Sequence, residues 1–465
     1  MRKISMALLG LITAIASHTA VADEIQSGSF VFMSDESCRP VVTASCYLTN
    51  ELEAKRTINA LADRGVTRFL LPPTESVAEL DLIAKVIKDR GLSFYTYEGW
   101  QWWDSNPGNG GYRTCEAYTA GRIAPLVAFK AKYGDAFAGL QFRDEPPIPD
   151  LGRIKELAQC VRANPVLAQM KVFINLIPIY GNDASFAGTG HGDAMTPDQY
   201  GVDCAAGQIT DRTKVNAMVS RYSAYVNDIA DNVDPDYLTF NLYPFNEYLN
   251  ACPAARDLVL SENMAIISHA ARLRGQVPVA YSQNYMAKSP AGPTQPLHAN
   301  FNQLRWLASW FYVFGGRGTA NFVSHDFDNN IGLLNRNNVP NQLAAEQSDL
   351  NSFARLAQQQ LGQHTYQGFV SQFLGVNNGP MIGGVSNDDV LVGQYGTNAA
   401  NEAMLFVAKH NPYANASSMI TLSKWWVKVD RYDFNSGQWI TVGTNTHQVN
   451  VALTDFPGSL YRLSM

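Results

Sequence analysis

The sequence has no excess of positive charge, no metal-ligand spacing, no phosphate-binding loop and no apolar run of membrane-spanning length. Each absence removes a class of function. Lysine and arginine number 35 against 41 acids, a formal charge of −6, so the chain offers nucleic acid no electrostatic handle. None of the six cysteines forms a Cys-x-x-Cys pair and no histidine stands at ligand spacing from one, so no metal site is expected. No glycine-rich loop follows the first or second strand, which counts against a nucleotide-binding fold, and no cofactor is implied. The Gly-x-Ser-x-Gly elbow and metal-binding helix of other hydrolases are also missing.

What is present begins with Arg2 and Lys3, an apolar run from Met6 to Ala16, and the small residues Ala20-Val21-Ala22. This pattern predicts a secretory signal peptide over 1–22. Its removal takes the formal charge from −6 to −8, since it carries Arg2 and Lys3 and no acid. The first cysteine, Cys38, lies too far from the cleavage site for lipid anchoring, so a secreted or periplasmic protein without a membrane anchor is expected. An even number of cysteines in an oxidising compartment points to disulfides. Cys38 with Cys46 is the local candidate; Cys115 with Cys160 and Cys204 with Cys252 are two further pairings among those that six cysteines allow. The sequence is silent on oligomeric state.

About 440 residues then remain, more than one compact core usually holds. From Ser29 to about Leu361, short β-rich runs alternate with amphipathic helical stretches, the pattern of parallel βα units. Strands end near Met33, Leu71, Tyr97, Phe142, Leu176, Leu242, Tyr281 and Val323. Helices are predicted over 51–64, 77–90, 120–133, 154–163, 215–232, 262–274, 302–314 and 342–361. Gly65, Gly91, Gly134 and Gly275 stand where left-handed helix C-caps are wanted. Eight such units predict an α/β fold, a (β/α)8 TIM barrel over 23–362. Beyond it, β-branched and aromatic runs such as 403–408, 418–422, 425–432, 439–442 and 449–453 predict a small antiparallel β-sandwich over 363–465. Buttressing the barrel is its simplest role, with sugar binding as the alternative.

Chemistry in such a barrel sits at the C-terminal ends of the strands. Strand four, 137–142, is uncharged and then delivers Arg143-Asp144-Glu145-Pro146-Pro147. In a regular strand Asp144 and Glu145 face opposite sides, so both enter one pocket only if the backbone turns, and Pro146 favours such a break. Partial desolvation raises a rim carboxyl into the range of a general acid, whereas Arg143 lowers whichever carboxylate it pairs with.

This layout resembles the superfamily of (β/α)8 glycoside hydrolases that place an acid/base glutamate at the end of strand four. Asp144-Glu145-Pro146 looks like the Asp-Glu-Pro variant found in secreted barrel proteins, and Tyr243-Pro244-Phe245 after strand six and Phe456 to Leu463 at the C-terminus are similar to theirs. The resemblance implies hydrolysis of a polysaccharide or oligosaccharide, with Glu145 as general acid and Tyr243 facing the sugar. One departure stands out. Retaining members carry a nucleophilic glutamate at the end of strand seven, where this chain reads Tyr281-Ser282-Gln283-Asn284-Tyr285 and has no acid. Gln283 stands about where that glutamate is expected.

Either another carboxylate serves, the mechanism is different, or the site binds without catalysing; the carboxylates to consider are Asp144, Glu98 after strand three and Asp326 after strand eight, with Asp35, Glu36, Asp104 and Asp328 as other acids at strand ends. His325 is a tempting base, although a histidine at a barrel mouth equally serves as a hydrogen-bonding spacer. Trp100, Trp102 and Trp103 suit stacking on sugar rings, and Arg143, Asn175, Asn241, Tyr243, Gln283 and Tyr285 supply polar groups for hydroxyls. The expected partner is a carbohydrate. A glycan-binding protein that keeps the barrel without catalysis is the alternative function.

Overall fold

The computed structural model describes residues 29–35, 38, 44–74, 76–98, 114–190, 194–287, 297–326, 330–398, 400–454 and 456–465. The segment expected to be a signal peptide lies outside them, as do Trp100, Trp102, Trp103, Glu36, Asp104 and Asp328.

Eight parallel strands close into a barrel: β1 (Ser29–Phe32), β2 (Val66–Leu70), β3 (Ser93–Tyr97), β4 (Phe137–Asp144), β5 (Lys171–Leu176), β6 (Tyr237–Phe240), β7 (Val277–Ser282) and β8 (Gly318–Asn321). Every strand ends within two residues of the position read from the sequence. Each strand pairs with its sequence neighbours, and β1 closes the ring on β8. Phe30, Tyr95, Phe173 and Tyr237 fill the interior, with ring centroids 5.1 to 6.5 Å apart. Gly139 makes room for this plug, because a Cβ there would stand 2.3 Å from the Tyr95 ring and 2.2 Å from the Lys171 carbonyl oxygen.

Eight helices wrap the ring: α1 (Glu51–Ala62), α2 (Asp81–Asp89), α3 (Ala124–Tyr133), α4 (Leu151–Ala163), α5 (Arg212–Asn232), α6 (Pro253–Arg274), α7 (Phe301–Val313) and α8 (Gln342–Leu361). Asn50, Asp211, Asn300 and Asn341 cap the N-termini of α1, α5, α7 and α8 with their side chains. Gly65, Gly91, Gly134 and Gly275 all take positive φ. The helix predicted from 262 begins instead at Pro253, a residue suited to the first helical position. Its first turns are buried on most sides, from Ala255 to Ser261, so they lack the polar face that reveals a helix in sequence.

The C-terminal layer is one antiparallel sheet, ordered β9 (Tyr366–Val370), β11 (Val390–Tyr395), β12 (Glu402–Lys409), β15 (Gly458–Ser464), β13 (Ala416–Asp433) and β10 (Ile382–Val385), with β14 (Gln438–Leu453) paired to β13 alone. The predicted runs 418–422 and 425–432 are one strand, broken in appearance by register shifts after Thr421 and Val429. One face of the sheet builds its own core from Val392, Leu405, Ile420, Trp426 and Val451. The other packs on α7, where Trp306 and Trp310 both donate their indole N–H to the Lys409 carbonyl, at 2.9 and 2.8 Å.

Disulfides join Cys38 to Cys46, Cys115 to Cys160, and Cys204 to Cys252. These are the pairings considered from the sequence, and no described cysteine is free. No helix among the described residues is long and apolar enough to cross a membrane.

Candidate active site

The tip of β4 is irregular in two successive ways. Gln141 pairs with Phe173 and Asp144 with Asn175, so β4 spans three residues where β5 spans two, the mark of a bulge. Asn175 shares the inward face of β5 with Phe173, and the bulge brings Asp144 onto that face beside it. The next residue, Glu145, has φ +46°, a left-handed conformation that costs a non-glycine residue about 1 kcal/mol. That turn lets a second consecutive side chain reach the barrel mouth. Local bonds hold it: the Glu145 N–H donates to the Asn175 carbonyl at 2.9 Å, and the Tyr225 hydroxyl donates to the Pro146 carbonyl at 2.9 Å.

Each carboxylate then meets an asparagine from a neighbouring strand. Asn175 Nδ2 donates to Asp144 Oδ1 at 2.7 Å, while its own Oδ1 accepts from Thr239 Oγ1 at 3.1 Å. Asn241, just past β6, donates to Glu145 Oε1 at 2.5 Å. From the other side, the Asp144 N–H points to the Tyr97 hydroxyl at 3.4 Å, and the Arg143 guanidinium hydrogen-bonds that hydroxyl as well. Asp144, Glu145, Asn175 and Asn241 are thus brought together, with Arg143 alongside, in an arc running from β3 to β6.

Desolvation pushes the Glu145 carboxyl up to about 8; the negative charge of Asp144 adds to the rise and the Asn241 amide opposes it. At neutral pH this group holds its proton, as a general acid must. Burial lifts Tyr97 to about 12, with Asp144 contributing. Tyr243, Tyr281 and Tyr285 are raised by burial too, and all three feel the charge of Asp144. They keep their phenolic protons and remain hydrogen-bond donors. Tyr243 and Tyr285 meet edge to face with centroids 4.8 Å apart. Beside Glu145 opens a cavity of about 440 Å³ lined also by Arg143, Asp150, Ile177, Ser185 and Gly188. It is large enough for a sugar ring or two.

Other expected site residues lie elsewhere. Glu98 is fully buried on the outward face of β3, where Thr96 Oγ1, Tyr118 OH and the Arg122 Nε and Nη2 donate to it at 2.7, 2.9, 2.9 and 3.1 Å. Alternation explains this: Tyr95 belongs to the barrel interior, Tyr97 reaches the mouth, and Glu98 turns away from both. Asp326 accepts from the Gly332 N–H at 3.0 Å and so ties down its own loop. Gln283 is buried and holds backbone, accepting from the Phe245 N–H at 2.8 Å and donating to the Phe245 and Leu297 carbonyls at 2.6 and 3.0 Å. Its amide is engaged in shaping the loop after β6 rather than offered to a ligand. His325 stacks on Tyr47, touches Ser324 Oγ and Asn338 Oδ1, and is driven by burial down to about 4, the spacer role.

Sequence reading missed Tyr97, Tyr180, Tyr281 and Thr239. The signal for Tyr97 and Tyr281 was the same alternation, since they follow the interior residues Tyr95 and Val279 by two. Tyr180 sits in the loop after β5 and feels the Glu145 charge, with no pattern in the sequence to announce it.

No family model and no curated protein matches the chain. Among solved structures it is similar to a cycloisomaltooligosaccharide glucanotransferase from Paenibacillus sp., at 9% identity and TM-score 0.50, covering 95% of this chain and 85% of that one. The shared fold is a closed (β/α)8 barrel. A family 51 alpha-L-arabinofuranosidase from Bifidobacterium longum aligns at 10% identity and TM-score 0.42, over 94% and 95% of the two chains. A glycoside hydrolase family 17 beta-1,3-glucanosyltransferase from Rhizomucor miehei aligns at 11% and 0.40, over 69% and 97%. At such identities the likeness concerns the fold alone, and function has to be argued from the site.

Proposed function

We propose that this protein is a secreted glycoside hydrolase in which Glu145 is the general acid and Asp144 its charged partner. One observation carries the reading: bulge and left-handed turn bring two consecutive carboxyl groups to the C-terminal mouth of the barrel, and Glu145 is held protonated there. A left-handed glutamate is costly for stability alone, and such strain concentrates at functional sites. The phenols of Tyr97, Tyr243, Tyr281 and Tyr285 and the amides of Asn175 and Asn241 supply the polar edges and apolar faces that sugars need. Arg143 orients substrate beside the acid. Three disulfides fit export to the periplasm or beyond. The C-terminal sheet, 363–465, acts as a buttress.

The test uses wild type and Glu145→Gln on a panel of polysaccharides and oligosaccharides, read by new reducing ends. Hydrolysis by wild type, lost about 10³-fold in the variant, supports the assignment. Full activity in the variant gives the proton to another residue. Binding of glycans by both proteins without hydrolysis favours the non-catalytic alternative, to which the engaged Gln283 just after β7 lends weight.

A further inference from the structure

The two site carboxylates lie side by side on one rim, and this bears on what they can cleave. Glycosidases with two catalytic carboxylates place them on opposite faces of the anomeric carbon, one to protonate the leaving oxygen and one to attack or to activate water. Asp144 and Glu145 are consecutive residues, fixed by asparagines from the next two strands, and approach a bound sugar from the same side. On the facing rim, β7 and the segment after it present the phenols of Tyr281 and Tyr285 while Gln283 is bound to backbone. Glu98 is locked to Arg122 behind β3, and Asp326 to its own loop.

We infer that the substrate is a glycoside of a 2-acylamino sugar, whose own amide oxygen is the nucleophile, with Asp144 receiving the amide N–H and Glu145 the leaving group. The inference rests on the hydrolase reading above. In the first step the amide carbonyl oxygen bonds to the anomeric carbon and the glycosidic C–O bond breaks. The departing oxygen takes the Glu145 proton, and Asp144 balances the positive charge on the cyclised amide. In the second step water adds to the anomeric carbon and gives its proton to the Glu145 carboxylate. The bond between the anomeric carbon and the amide oxygen breaks and restores the acylamino group. One water is consumed, one glycosidic bond is cleaved, and configuration is retained. This scheme uses an adjacent acid pair in unlike surroundings, as here, where desolvation and the charge of Asp144 raise Glu145. It also uses buried phenols: Tyr281, near Asp144 and Tyr97, is placed to donate to the amide oxygen, and the aromatic wall around it suits an acyl methyl group.

The experiment compares aryl glycosides of N-acetylglucosamine and N-acetylgalactosamine with those of glucose and galactose, on the wild-type protein. A series with mono-, di- and trifluoroacetyl groups follows. Cleavage confined to the 2-acylamino glycosides, with kcat/KM falling at each added fluorine as the amide oxygen loses nucleophilicity, supports the inference. A further expectation is a loss of about 100-fold in Asp144→Asn on the same substrates. Equal cleavage of the 2-hydroxy glycosides, or rates indifferent to fluorination, overturns it while leaving the hydrolase reading standing. In that case Asp35→Asn, Glu36→Gln, Asp104→Asn and Asp328→Asn locate the true nucleophile. If no glycoside of either class, and no polysaccharide, is cleaved, the hydrolase reading falls and takes this inference with it. The fluorination series needs no variant, so a misfolded Asp144→Asn does not weaken the test.

Discussion

Glu98 and Glu145 each follow the inward-facing end of a barrel strand, on neighbouring staves, and they have opposite fates. Glu98 turns outward, carries a guanidinium, a phenol and a hydroxyl on its two oxygens, and is sealed from water. Glu145 turns inward at the cost of a left-handed backbone, has one neutral amide as hydrogen-bond partner in Asn241, and sits beside another carboxylate. The first environment satisfies a charge; the second opposes it. A buried acid is therefore a functional group only where its surroundings fail to neutralise it.

Four variants sharpen or break this contrast. The largest effect is expected at Glu98→Ala, which removes the buried carboxylate that the Arg122 guanidinium pairs with and costs about 4 kcal/mol in chemical denaturation. Restoration of stability by the double change Glu98→Leu with Arg122→Met would confirm a purely structural pair, whereas a stable but inactive Glu98→Ala protein would return Glu98 to the site. Next comes Glu145→Gln, with its loss of about 10³-fold in kcat/KM and no loss of stability. For the wild type, kcat/KM should fall on the alkaline side as pH rises through about 8, where Glu145 loses its proton.

The same group has a smaller, opposite effect on stability. A carboxyl raised from 4.5 to about 8 keeps its proton in the folded chain when the unfolded chain has already lost it, so the fold weakens as pH climbs through that window. Glu145→Gln escapes the penalty. It should match wild type below pH 4.5 and exceed it above pH 8, with the gap in Tm opening steadily through that window. A constant offset across that range would refute the raised value. The smallest effect belongs to Asn241→Ala, which removes the amide that favours the Glu145 carboxylate and should move the alkaline limb up by about half a pH unit.

Much of the fold was legible because period and punctuation agree: eight inward-alternating strands, and glycines such as Gly65 and Gly275 taking the positive φ their positions implied. The turn that makes the site was readable too, since two adjacent acids before two prolines cannot share a pocket without a break in the pleat. What escaped was long-range engagement. Nothing near Gln283 says that its amide is held by Phe245 and Leu297, and nothing near Asp326 names Gly332 as its partner. The outward face of Glu98 could have been found by counting from Tyr95 in steps of two; proximity to the strand end concealed it.

The paired indoles of Trp306 and Trp310 on the Lys409 carbonyl have a meaning for how the molecule comes apart. A helix of the barrel wall finishes its hydrogen bonding only when the C-terminal sheet is already folded against it. Barrel and sheet are thereby joined into one cooperative unit, and heating should release them in a single transition, with no surviving barrel after the sheet has melted.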